Sequence, residues 1–312
     1  MIPLADIEQA RERIAGAAVR TPLVRLPGAD IWLKLENLQP IGSFKIRGAT
    51  NAIRAARADA LQRGVVTASA GNMAQGVAWA AREAGVPATI VVPEHAPQTK
   101  LDAIERLGGR VVKVPHERWW QTIEESRFEG VEGLFVHPVQ DELVMAGNGT
   151  VGLELLEDLP DVATVLVPYG GGGLIAGIAS AVKQVRPEAR VFACEPETAA
   201  AVTAALAAGG PAEVDYTHSF VDGAGARKVL PAMWPRVREA IDGAHVATLD
   251  ETAAAIRLLA ERVRVITEGA GALAAAVALS GRAGVEPIAC IVSGGNIDTS
   301  ALVAILSGET PK

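Results

Sequence analysis

Short apolar runs rich in β-branched residues alternate with alanine-rich stretches of helical spacing almost from end to end of the chain. The apolar runs are Ile31–Leu35, Gly64–Ala68, Ala88–Val92, Arg110–Val114, Leu134–Val136, Val162–Val167, Val191–Cys194 and Pro287–Val292, and each has strand length. Between them Asn72–Ala84, Gln98–Leu107 and Ala253–Val263 read as helices, and another opens the chain around Asp6–Ala17. Such alternation predicts an α/β fold in which mostly parallel sheet is covered by helices on both faces. Ligands then gather at the C-terminal ends of strands, in the loops that open helices. Gly209-Gly210-Pro211 and Asp222-Gly223-Ala224-Gly225 read as long loops, so any domain boundary is a crossing of the chain between two sheets.

Composition narrows the class. A chain of 312 residues has room for about two domains. With 49% hydrophobic residues and only 4% aromatic, the core is built mainly of Ala, Val, Leu and Ile. A net charge of −7 argues against nucleic acid or an anionic membrane as a partner. Cys194 and Cys290 fall within or at the end of apolar runs and read as buried free thiols. Asp6, Glu8, Arg11, Glu12 and Arg13 break up the first 20 residues, and the longest small-apolar stretch, Ala270–Leu279, is too short to span a bilayer. The expectation is a cytoplasmic protein.

Chemistry concentrates in four loops. Gly170, Gly171, Gly172 and Gly173 lie between an apolar strand and the helical run from Leu174. Contiguous glycines let the backbone turn sharply and aim several N–H groups, with a helix dipole behind them, at one compact phosphate; a plain flexible turn is the bland alternative. There is no Gly-x-x-x-x-Gly-Lys-Ser/Thr for a nucleoside triphosphate. A dinucleotide would want spaced glycines and an acid about 20 positions on, a place that Glu195 occupies. The second loop, Gly42 to Ala49, opens a helix with Lys45, where the dipole and burial lower an ammonium pKa toward a nucleophilic amine. Ser69-Ala70-Gly71-Asn72 is either a helix N-cap or a cradle for a substrate carboxylate, and Ser293-Gly294-Gly295-Asn296 is a small glycine-rich turn that ends a buried strand.

A lysine amine, a phosphate cup, a carboxylate cradle and a hydroxyl turn together suit pyridoxal phosphate. On Ser43-Phe44-Lys45-Ile46-Arg47-Gly48-Ala49, Ser69–Asn72, Gly170–Leu174 and Ser293–Asn296, in that order, the chain resembles the fold type II pyridoxal-phosphate enzymes, most closely the threonine/serine dehydratase and serine racemase family. The resemblance covers essentially the whole chain. It implies a large cofactor-binding domain from residues 1–52 and 142–312, with 53–141 as a small domain carrying Ser69–Asn72. It further implies that Lys45 forms the Schiff base and then acts as base at the substrate Cα. Asn72 would bond the ring hydroxyl, and the amides of Gly170, Gly171, Gly172, Gly173 and Leu174 would hold the phosphate. Ser293 would face the ring nitrogen, Phe44 would lie beside the ring, and Ser69, Ala70, Gly71 and Asn72 would hold the substrate carboxylate. A homo-dimer or tetramer is implied too.

A serine at Ser293 does not keep the ring nitrogen protonated as a carboxylate would, which favours prompt expulsion of a β-leaving group. The expected reaction is β-elimination from L-threonine or L-serine to a 2-oxo acid and ammonia, with the cofactor phosphate protonating the departing hydroxyl. Racemisation is the alternative; it needs a second acid on the opposite face, and Ala70 stands where the resembling racemases carry serine. Met73 and Tyr169 depart from the family pattern and bear on the substrate side chain, leaving a bulkier 3-hydroxy amino acid open. Glu195 matches a cation-binding glutamate of relatives, but Ala201 replaces the aspartate six positions on, so no metal is assigned and Glu195 reads as a structural carboxylate. Trp119 and Trp120 read as core or interface. The chain's end soon after Ser293 leads to the expectation that it lacks an isoleucine-sensing regulatory domain. The rival outside catalysis is a phosphate- or nucleotide-binding module.

Overall fold

Strands apolar at every position need cover on both faces, and helices supply it here. The computed structural model describes residues 1–311. Its strands are β1 (Leu23–Arg25), β2 (Ile31–Leu35), β3 (Val65–Ala68), β4 (Ala88–Pro93), β5 (Gly109–Val114), β6 (Leu134–Phe135), β7 (Thr164–Pro168), β8 (Arg190–Pro196), β9 (Gly243–Ala247) and β10 (Ile288–Val292). Six of them form one sheet in the order β1-β2-β10-β7-β8-β9, and four form a second in the order β5-β4-β3-β6. Every pairing is parallel except β1 with β2. Strands β7 and β10 are buried along their full length, as the middle of a doubly covered sheet requires.

Several boundaries move from those read in the sequence. The first helix runs Leu4–Arg13, not Asp6–Ala17: it starts directly after Pro3, and Gly16 at a φ of 77° stops it. A capping box between Thr248 and Glu251 starts the later helix at Leu249, four residues before the expected Ala253, and after Leu258 the chain makes a π turn over Leu259–Val263. Strands β1 and β9 carry no sequence signal. The first is three half-exposed or exposed residues, and Gly243-Ala244-His245-Val246-Ala247 has little intrinsic β preference, so pairing with β8 creates it.

One buried ionic cluster joins β2 and the short turn after it to two helices. The Arg47 guanidinium, two residues into the helix Lys45–Ala55, grips Glu36 at 2.8 Å through both Nε and Nη2. Its Nη1 donates to Glu154 at 2.7 Å and to Thr150 at 3.0 Å, both on the helix Glu142–Asp158. Lys34 of β2 completes the set with 2.7 Å bonds to Glu154 and to the Thr21 carbonyl. Two cations and two carboxylates therefore balance inside the core. Burial pushes the Glu36 carboxyl up, but the Arg47 charge and its hydrogen bonds outweigh that and hold it below the ordinary carboxylate range.

Removing one partner strands the opposite charge. Arg47→Met is expected to cost about 3–5 kcal/mol of unfolding free energy, read from urea melts. A loss below about 1 kcal/mol would show that the cluster does not hold these elements together.

Candidate functional site

Parallel strands deliver the four expected loops to the same ends of their sheets. The Lys45 loop follows β2 through the short 3-10 turn Glu36–Leu38, Ser69–Asn72 follows β3, the glycines follow β7, and Ser293 follows β10. The first and last are stitched together: the Phe44 N–H donates to the Ser293 carbonyl at 3.0 Å, and Ser43 bridges to Gly294. Lys45 is the first residue of its helix and only partly exposed. Its Nζ donates to the Pro138 carbonyl at 3.3 Å and sits 5.1 Å from the centre of the Phe44 ring. Burial brings its pKa down to about 8, against the opposing charge of Glu268.

Beside that contact, His137 accepts the Val139 and Gln140 N–H groups on Nδ1, at 3.0 and 2.9 Å. Burial takes its pKa down to about 4, with the Lys45 charge adding to the fall, so the ring is neutral. The turn that His137 holds lies over the glycines, for any side chain at Gly171 would collide with Val139. Gly172 adopts a φ of 97° as the N-cap of the helix Gly173–Val185, which leaves the amides of the first turn without intrahelical partners. The loop Asp222–Gly225 borders this cup, with the Gly225 N–H on the Tyr169 carbonyl at 2.8 Å. Tyr169 itself is fully buried, its hydroxyl lacks a partner among the described residues, and burial keeps the phenol protonated.

Asn72 begins the helix Asn72–Glu83, and both ends of its amide are engaged. Nδ2 donates to Glu268 at 2.8 Å, while Oδ1 accepts from Asn296 Nδ2 at 2.7 Å. The Ser69 hydroxyl accepts the Gly71 N–H at 3.3 Å, and the Ser69–Asn72 turn is half-buried. Ser293 is buried, and its carbonyl accepts the Phe44 N–H.

Glu268 was not signalled by the sequence. It immediately precedes the alanine-rich helix Gly269–Leu279, and a lone acid at the mouth of so apolar a segment was the available hint. Burial, then the charge of Asp222, push its pKa up to about 7 against the Asn72 bond. The carboxyl also lines a cavity of about 450 Å³ shared with Lys100, His218, Asp222, Asn296 and Asp298. Lys100 forms an ion pair with Asp222 at its edge.

Other candidates fall away from this centre. Glu195 accepts the Val202 and Thr203 amides at 2.7 and 2.9 Å and the Thr203 hydroxyl at 2.9 Å, so it caps the helix Ala201–Ala208 and is not held out toward a ribose. Met73 is buried in the apolar cluster of the smaller sheet, which takes it out of contention for reading a substrate side chain. Trp119 is half-buried, and Trp120 lies on the surface bonded to Glu124. Cys194 and Cys290 are free and buried.

Comparison with known proteins gives the family. A family profile described as pyridoxal-phosphate dependent enzyme matches residues 14–294. The L-threonine ammonia-lyase of Geobacter sulfurreducens is 40% identical over 98% of this chain and 78% of its own length. Maize serine racemase superposes with a TM-score of 0.88 at 33% identity, over 97% of this chain and 96% of that one. The processed form of threonine deaminase isoform 2 from Solanum lycopersicum gives 0.86 at 34% identity, over 97% and 94%.

The lowered pKa of Lys45 has a direct test in the ligand-free protein. An amine-reactive mass tag should label Lys45 with a rate that rises with pH through about 8, because only the neutral amine reacts. A rate still climbing in proportion to hydroxide up to about pH 10 would contradict it.

Proposed function

The chain belongs to the pyridoxal-phosphate-dependent enzymes, and on that premise we propose that it is an ammonia-lyase. It removes the β-hydroxyl and the α-proton of L-threonine or L-serine, water replaces nitrogen at Cα, and a 2-oxo acid and ammonium leave. The observation that carries the reading is Lys45: a half-buried amine with a pKa of about 8, at the start of a helix and at the meeting point of the strand-end loops. The residues present fit the cofactor, since the glycine turn offers free amides, Asn72 keeps one Nδ2 hydrogen to give, and the buried Ser293 offers a hydroxyl.

Bound pyridoxal phosphate supplies an aldehyde that condenses with amino groups and a ring that withdraws electrons from the neighbouring carbon. In our assignment Lys45 Nζ would hold that aldehyde as a neutral amine and, when free, would take the proton from the substrate Cα. The amides of Gly170, Gly171, Gly172, Gly173 and Leu174 would hold the phosphate at the helix N-terminus. Asn72 would give its N–H to the ring oxygen, Ser293 would give its hydroxyl to the ring nitrogen, and Phe44 would flank the ring. The backbone of Ser69, Ala70, Gly71 and Asn72 holds the substrate carboxylate. Ala70 has no proton to offer, which disfavours delivery from the opposite face and hence racemisation. Segment 53–141 acts as a small domain against 1–52 and 142–312. We place the enzyme in the cytoplasm as a homo-oligomer; among the described residues no helix is long and apolar enough to cross a membrane.

The purified holoprotein should be yellow, and borohydride should bleach it while leaving the cofactor mass on a Lys45 peptide. Incubation with L-threonine and L-serine should yield 2-oxo acid and ammonia, and Lys45→Ala should lower turnover by about 10²–10⁴-fold or more. D-serine in excess over pyruvate would make the protein a racemase. A colourless protein indifferent to pyridoxal phosphate would overturn the assignment altogether.

A further inference from the structure

We propose that Glu268 is a positioning residue which, with Asn296, locks the amide of Asn72 so that one Nδ2 hydrogen is held ready for the ring oxygen of pyridoxal phosphate. This rests on the cofactor assignment above and adds to it a residue with no motif of its own. The polarity of the hydrogen-bond chain is fixed from both ends. The Ile41 carbonyl can only accept, so the Asn296 group facing it at 3.0 Å is Nδ2. The second hydrogen of that group goes to Asn72 Oδ1 at 2.7 Å, which turns Asn72 Nδ2 toward Glu268 Oε1 at 2.8 Å. A flip of the Asn72 amide would set its oxygen against a carboxylate and its NH₂ against another NH₂, losing both bonds. One Nδ2 hydrogen is left over.

Glu268 reaches this position because residue 294 is glycine. Its N–H donates to the Gly294 carbonyl at 3.1 Å, and a Cβ at 294 would fall on Glu268 Oε1 and within 3.2 Å of Asn72 Nδ2. Around the carboxyl stand Lys45 from its helix, Lys100 from the helix Gln98–Arg106, His218 and Asp222 from the loop beyond the cup, and Asp298 before the last helix. Burial and Asp222 favour the neutral acid, while Asn72 and Lys100 favour the carboxylate, and the balance falls at about 7. Above that pH the carboxylate only accepts and the lock is firm. Below it the protonated acid also donates, and the lock loosens.

The experiment measures pyridoxal-phosphate affinity and the visible band of the holoprotein between pH 6 and 8.5. The variants are Glu268→Gln, Glu268→Ala, Gly294→Ala, Asn72→Ala and the Glu268→Ala/Asn72→Ala double. Glu268→Ala and Gly294→Ala should each weaken binding about tenfold at pH 8, and the double variant should bind no worse than Asn72→Ala alone. Glu268→Gln keeps an acceptor, so it should restore affinity to within about twofold while erasing the pH component near 7. Additive losses in the double variant, or a pH profile unchanged by Glu268→Gln, would overturn the positioning role, because a merely structural acid gives both. If borohydride still fixes the cofactor on Lys45 in those cases, the lyase assignment stands without this inference. Failure of the unmutated protein to bind pyridoxal phosphate sinks both.

Discussion

The placement of Lys45 depends on the fork of Arg47. A guanidinium held by two carboxylates in a dry core has one geometry, because both edges of its plane are committed and neither oxygen pair can slide. Glu36 lies just past β2, and Glu154 lies on the helix Glu142–Asp158, so the first turn of the Lys45 helix is pinned in rotation and in height against both. Apolar residues of similar volume could hold the same elements with comparable free energy. They would not fix the register of a helix to within a hydrogen bond, and the position of the amine follows from that register.

The parallel sheets impose the second constraint. All of their helix-opening loops emerge on the carboxyl side of the strands, so helix N-termini with unused amides gather there. That environment welcomes a phosphate and a carboxylate and disfavours a cation. Lys45 is the exception, a potential cation placed at the first position of a helix and shielded from water by Phe44 and the His137–Gln140 turn. Burial lowers its pKa to about 8, and a helix N-terminus disfavours the cation in the same sense.

These constraints explain which parts of the site were legible in the sequence. The strands β3, β4, β7, β8 and β10 and the loops after them announce themselves through contiguous apolar residues and adjacent glycine, serine or lysine, because their roles are carried by the backbone and by neighbours in sequence. Glu268, Asn296 and the turn at His137 act across 196, 224 and 93 positions of sequence, as seen in the Asn72 to Glu268, Asn72 to Asn296 and Lys45 to Pro138 bonds. Their significance exists only after folding. Strand β9 was missed for the same reason, its conformation being set by β8 rather than by its own residues. Tyr169 and Met73 stood out by identity alone, yet both proved to be buried side chains whose neighbours are chiefly apolar.

Burial acts on Lys45 and Glu268 in opposite senses and to a common end. It lowers the ammonium toward about 8 and raises the carboxyl toward about 7, and in each case the other residue's charge or hydrogen-bonded neighbour resists. Two groups whose intrinsic pKa values differ by about six units are thereby brought close together. In water the proton would stay on the amine. Here burial works against both charged forms, so each group lies nearer to changing state at neutral pH than it would in water. The Glu268 charge reaches Lys45 through space and without a direct salt bridge, which would hold the amine charged and remove the property that makes it useful.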